Sequence, residues 1–176
     1  MKKLILAGAA ALAITACGSE PEESTDTAAA EGPVDTMLPG AFLVRTEVTS
    51  ITPADDADPA TSLSEGQVVE NEVCIGEDGI LPAAAFAEAA EECTIRNPYN
   101  RRGRMRADLT CTAAAGRVDL SVNADFTGES IEGTIDSTSS FAGTGDYQMR
   151  RTITAERTGD CTAAEAEEDL EATVEE

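Results

Sequence analysis

Val118-Asp119-Leu120-Ser121-Val122-Asn123-Ala124-Asp125 puts an apolar side chain at every second position and a polar one between. Successive side chains of a strand point to opposite faces, so the run predicts a strand with one buried and one wet face. The same period recurs on both sides of it. Ile131, Gly133 and Ile135 alternate with Glu132, Thr134 and Asp136. Tyr147, Met149, Arg151, Ile153 and Ala155 share one parity against Arg150, Thr152, Thr154 and Glu156. Toward the N-terminus, Phe42, Val44, Thr46 and Val48 share a parity, as do Val69, Asn71, Val73 and Ile75.

The stretches 97–103, 113–116, 127–129 and 140–145 hold turn formers and are short. Strands joined by short loops pair antiparallel, which predicts a meander. Residues 54–64 read as a polar, acidic loop between the first two strands. One segment breaks the strand pattern. Residues 81–92 are alanine-rich with Pro82 at a plausible first turn, which predicts a short helix burying Leu81, Phe86, Ala89 and Ala90. The fold class expected is therefore all-β or β-dominated: an antiparallel meander sheet or small barrel with one short helix.

The core is thin, with no Trp, four Phe and two Tyr. A sheet this polar needs covalent staples. Beyond Cys17 the chain holds Cys74, Cys93, Cys111 and Cys161, an even number that reads as two disulfides in an exported protein. Cys93 and Cys111 stand symmetrically about Arg102, so an antiparallel hairpin centred there sets them across from each other. Of the three pairings four cysteines allow, that geometry favours Cys93–Cys111 with Cys74–Cys161. No metal site is expected, because the chain has no histidine and no closely spaced cysteine pair. No cofactor is expected either.

The N-terminus predicts where the chain works. Lys2 and Lys3 precede an apolar run that ends Ile14-Thr15-Ala16-Cys17, too short to span a bilayer and laid out as a signal peptide. The run resembles a bacterial lipobox. That resemblance implies removal of residues 1–16, acylation of Cys17 and, with Gly18 following, anchoring at the outer membrane facing the periplasm. Residues 18–35 are acidic and poor in apolar side chains and read as a disordered tether from the lipidated Cys17. Residues 36–161 form one domain by length, and the glutamate-rich residues 162–176 read as a disordered acidic tail.

The mature chain has ten arginines, no lysine and 34 acidic residues, a net charge of about −24. Phosphate groups repel such a chain, which argues against general binding to nucleic acid or anionic lipid and favours spacing from an anionic membrane surface. The expected partners are the membrane, through the lipid, and an envelope protein or small-molecule ligand; the oligomeric state is left open.

From Met37 to Cys161 the chain resembles the DUF3617 family of Gram-negative envelope proteins. The resemblance starts at Leu38-Pro39-Gly40-Ala41-Phe42. It continues through Glu72-Val73-Cys74-Ile75, Cys93, Leu109-Thr110-Cys111 and Phe126-Thr127-Gly128-Glu129-Ser130-Ile131-Glu132-Gly133, and closes on Arg157-Thr158-Gly159-Asp160-Cys161. Phe42 stands where the family usually has Trp. The resemblance implies an exported β-rich domain and no activity.

Half of the mature chain's arginines fall in Arg96-Asn97-Pro98-Tyr99-Asn100-Arg101-Arg102-Gly103-Arg104-Met105-Arg106. Arg96, Arg101, Arg102, Arg104 and Arg106, with Tyr99 available for stacking, make this hairpin the candidate site for an anion or partner. The competing reading is a solvated turn that balances the chain's own acidic segments. Asp55, Asp56 and Asp58 lack the spacing of a calcium loop and read as a charged loop. Nucleophilic catalysis needs a base that this chain does not offer, and carboxylate pairs such as Glu129 and Glu132 arise by chance among so many acids. The expectation is a non-catalytic binding module. The alternative is a carrier of an apolar ligand, with Gly133, Ala124 and Ala155 leaving room inside a curved sheet.

Overall fold

The computed structural model describes residues 34–88, 92–113 and 115–161. The expected signal peptide, Cys17, residues 18–33 of the expected tether and the expected tail 162–176 lie outside the described residues. Seven antiparallel strands form a single sheet: β1 (Gly40–Pro53), β2 (Val68–Ile75), β3 (Glu92–Arg101), β4 (Arg104–Ala113), β5 (Gly116–Phe126), β6 (Ser130–Phe141) and β7 (Tyr147–Gly159). Their spatial order is β2-β1-β7-β6-β5-β4-β3. Strands β3 to β7 are the expected meander. The β1–β2 hairpin is added beside β7 through a ladder running from Ala41–Gly159 to Pro53–Tyr147. The sheet curls into a half-barrel and stays open, with β2 and β3 as its edges.

The alternation read from the sequence fixes which face is inside. Phe42, Val44 and Val48 from β1, Val118, Leu120 and Val122 from β5, and Ile153 and Ala155 from β7 are all buried. The intervening Asp119, Ser121, Asn123 and Asp125 of β5 are exposed or half-exposed. A Cβ at Gly133 would fall 2.6 Å from Ala124 Cα and well inside van der Waals contact of Ala124 Cβ and the Asn123 carbonyl oxygen. Only glycine lets β5 and β6 approach this closely. Gly133 and Ala124 therefore pinch the inner face together instead of leaving room in it.

Between β2 and β3, residues 76–88 form a strap that leads away from one open edge toward the other. The expected helix over 81–92 is absent among the described residues; a single 3-10 turn, Ala83–Ala85, stands in its place, and Ala89 and Ala90 lie outside them. Alanine favours helix, but intrinsic propensity is weak against burial. Here Leu81, Ala85 and Phe86 must all reach the core while the chain crosses between edges. The two disulfides bracket this strap. Cys74 near the end of β2 joins Cys161, and Cys93 at the start of β3 joins Cys111 directly across the ladder, with Cα–Cα distances of 5.6 and 4.0 Å. Both pairings follow the hairpin centred on Arg102.

Candidate binding face

The expected loop over 97–103 is mostly strand. β3 continues to Arg101, with a bulge between Arg96 and Tyr99 where Asn97 adopts a φ of 49°. The turn is only Arg102-Gly103, whose φ angles of 53° and 71° match the two-residue type I′ hairpin. Register then sorts the candidate residues. Arg96, Tyr99 and Arg101 of β3 oppose Asp108, Arg106 and Arg104 of β4, and all of them lie on the outer face. Arg96, Tyr99, Arg101, Arg102, Arg104 and Arg106 are all exposed.

Their partners differ from those of the other arginines. Arg45 pairs with Glu70, Arg117 with Asp119, Arg150 with Asp136 and Arg157 with Asp160, each within 3.4 Å. Arg104 stands 3.8 Å from Asp125, an exposed pair that contributes little. Arg96, Arg101, Arg102 and Arg106 form no ion pair with any other described residue. Beside them the outer face opens into a groove of about 250 Å³ lined by Arg104, Arg106, Asn123, Asp125, Glu132 and Thr134.

The hairpin turn is held by the segment that leads into the domain. Gly103 N–H donates to the Val34 carbonyl at 2.6 Å, and Arg102 N–H donates to Asp35 Oδ1 at 2.9 Å. Leu38 N–H reaches the Gly128 carbonyl in the β5–β6 turn, and Met37 N–H the Gly79 carbonyl in the strap. Val34 packs against the core. The folded unit thus includes Val34 and Asp35, which composition placed in the tether. These contacts put residues 34–38, the arginine turn and the β5–β6 turn at one pole of the half-barrel.

The opposite pole carries the acidic loop. Asp55 accepts backbone N–H groups from Ala57, Gly145 and Asp146, tying the loop to the β6–β7 turn. The Ala57 and Gly145 hydrogen bonds hold its carboxyl below the usual carboxylate range. Asp55 is thus a latch built from backbone donors. Among the described residues no group of three or more Cys, Asp or Glu side chains is placed to hold a metal ion.

The sequence reading did not single out the interior polar group. Arg151 is buried on the inner face of β7 and donates to the Phe86 carbonyl at 2.7 Å and the Ala87 carbonyl at 3.4 Å. Tyr147 Oη donates to Glu88 Oε2 from the same face. Together they fasten the strap to the sheet. The signal was visible as an arginine on the apolar parity of β7, but nothing local to the sequence names its partners.

The model of the DUF3617 family, described as a protein of unknown function, matches residues 37–161. The chain belongs to the DUF3617 family. The matched span of this DUF3617 protein runs from the pole-capping segment to the last disulfide cysteine, and so takes in the whole curled sheet. No curated protein and no solved structure matches it significantly.

Proposed function

We propose that this DUF3617 protein is a lipid-anchored envelope protein facing the periplasm, and that its domain is a non-catalytic binding module. In this reading residues 1–16 are removed, Cys17 carries the lipid, and the outer face of β3 and β4 meets the partner. The observation that carries it is the set of exposed guanidiniums without ion pairs among the described residues, Arg96, Arg101, Arg102 and Arg106, on one face beside a groove. Guanidinium forks suit phosphate and carboxylate groups. A carrier needs an interior with room, and here Phe42, Leu81, Phe86 and Arg151 fill it.

Native mass spectrometry of the lipid-anchored chain, purified from its own envelope, tests this reading. The expected result is a bare protein or one bound to a macromolecular partner, with the partner lost in the folded Arg96→Glu/Arg106→Glu variant. A small-molecule adduct that leaves on denaturation would overturn it in favour of the carrier. An unmodified Cys17 in the mature protein would remove the anchor.

A further inference from the structure

The position of the hairpin turn assigns it a partner. We infer that the pole formed by residues 34–38 and the Arg101-Arg102-Gly103-Arg104 turn rests on the phosphate headgroups of the membrane that anchors the chain. The inference depends on the proposed acylation of Cys17, and three observations support it.

The first is topological. Val34 is fastened to Gly103 in the arginine turn, so the chain leading back to Cys17 departs from this pole. Only residues 17–33 intervene, which span at most about 60 Å even fully drawn out. Anchoring keeps this pole, and not the acidic one, nearest the headgroups, where local concentration favours even a weak contact.

The second is chemical. Arg101, Arg102 and Arg104 stand exposed in the turn. Three of the large apolar side chains most exposed to water lie around them: Leu38 at 48%, Ile80 at 36% and Tyr99 at 51%. Ile80 follows Gly79, whose carbonyl accepts the Met37 N–H, and Tyr99 shares the outer face with Arg101. Arginines mixed with apolar and aromatic side chains form the pattern that settles at a headgroup boundary.

The third is electrostatic. The acids at this end are Asp35, Glu77, Asp78, Asp125, Glu129 and Asp160. Asp35 accepts the Arg102 N–H, Asp78 the Ile80 N–H, and Asp160 pairs with Arg157. Glu132, across the ladder from Asp125, and Glu156, opposite Ser130, add to these acids, so acids outnumber arginines at this end and contact depends on the guanidiniums standing outermost in the turn. The acids of the far pole, Asp55, Asp56, Asp58, Glu65 and Asp146, lie across the length of the strands. At physiological salt, screening acts over about 8 Å. Their repulsion does not reach the contact.

The absence of tryptophan makes the test clean. Tyr99→Trp and, on the far pole, Asp56→Trp each place a single indole at an exposed position. The lipidated full chain is reconstituted into vesicles of phosphatidylethanolamine with phosphatidylglycerol, with and without bromolipid. Flotation reads the anchor and quenching reads the contact. The expected result is that both variants float, the indole of Tyr99→Trp is quenched and shifted to the blue, and the indole of Asp56→Trp is neither. Adding Arg101→Gln, Arg102→Gln and Arg104→Gln leaves flotation intact and weakens contact by roughly fivefold per guanidinium lost. Chains that float with the indole at position 99 unquenched, or with both indoles quenched alike, overturn the inference while the anchor stands. Quenching at position 99 unchanged by the three arginine substitutions overturns the role given to the arginines. Chains that do not float overturn the anchor, and the inference with it.

Discussion

Gly133→Ala tests the close approach of β5 to β6. The added Cβ would stand 2.6 Å from Ala124 Cα and closer still to Ala124 Cβ and the Asn123 carbonyl oxygen. Carbon atoms rest about 3.5–4.0 Å apart, so relief demands about 1 Å of separation between β5 and β6. None of the three obstructing atoms sits at the end of a flexible side chain. Overpacking of this kind costs about 1–3 kcal/mol, and the upper half applies where backbone must yield. Against this, alanine restricts the unfolded chain and returns about 0.4–1 kcal/mol. The net expectation is a loss of about 2 kcal/mol, a fall in Tm of roughly 6–10 °C for a domain of this size. Gly143→Ala is the internal control, since a Cβ there meets nothing within 4 Å. It is expected to be neutral or slightly stabilising. Thermal unfolding followed by circular dichroism, with disulfides intact, gives both values. Adding Ala124→Gly to Gly133→Ala removes one of the three obstructions and is expected to recover part of the loss, a coupling that a double-mutant cycle measures directly. A Gly133→Ala protein as stable as the wild type would refute the close approach of β5 to β6 at this position.

Arg151→Met keeps a long apolar stem but removes the donors to the Phe86 and Ala87 carbonyls; a loss on the order of 3 kcal/mol is expected in urea unfolding, with faster proteolysis within the strap. Unchanged proteolysis would deny Arg151 its fastening role. Replacing both cysteines of a bridge by serine is expected to cost about 3 kcal/mol for Cys93–Cys111 and about 4.5 kcal/mol for Cys74–Cys161, since the loops close 18 and 87 residues apart; equal losses in denaturant titration would contradict the loop-length argument. Asp55 has a carboxyl held below its unfolded range, so its contribution is present above the unfolded pKa and lost as pH falls through the folded one. Amide exchange at Gly145 and Asp146 is expected to quicken on acidification, and Asp55→Asn to abolish that acid dependence; an unchanged profile in the variant would count against the latch.

Strand positions were legible because most inner residues are apolar and most outer ones polar, as in Val118 to Asp125. The Cys93–Cys111 bridge was legible because both ends belong to one local hairpin. Order in the sheet was not, because the pairing of β1 with β7 joins residues more than a hundred apart at its outer end and no turn announces it. The strap misled in a specific way. Ala83-Ala84-Ala85 has strong helix propensity, yet the demand that Leu81 and Phe86 plug the core left a single 3-10 turn. For the candidate site, the arginine cluster was plain in composition. That Arg96, Tyr99, Arg101, Arg104 and Arg106 share one face was hidden by the bulge at Asn97-Pro98, which resets the parity between Arg96 and Tyr99.

The pairing of β1 with β7 also sets an order of assembly. Strands β3 to β7 each find a sequence neighbour, so that meander closes only short loops. The β1–β2 hairpin, made first, has its partner ladder in the last strand. A chain synthesised N-terminus first therefore carries an unpaired β1 edge until β7 has been made. The interval between those events is when this protein is most open to pairing with a neighbour.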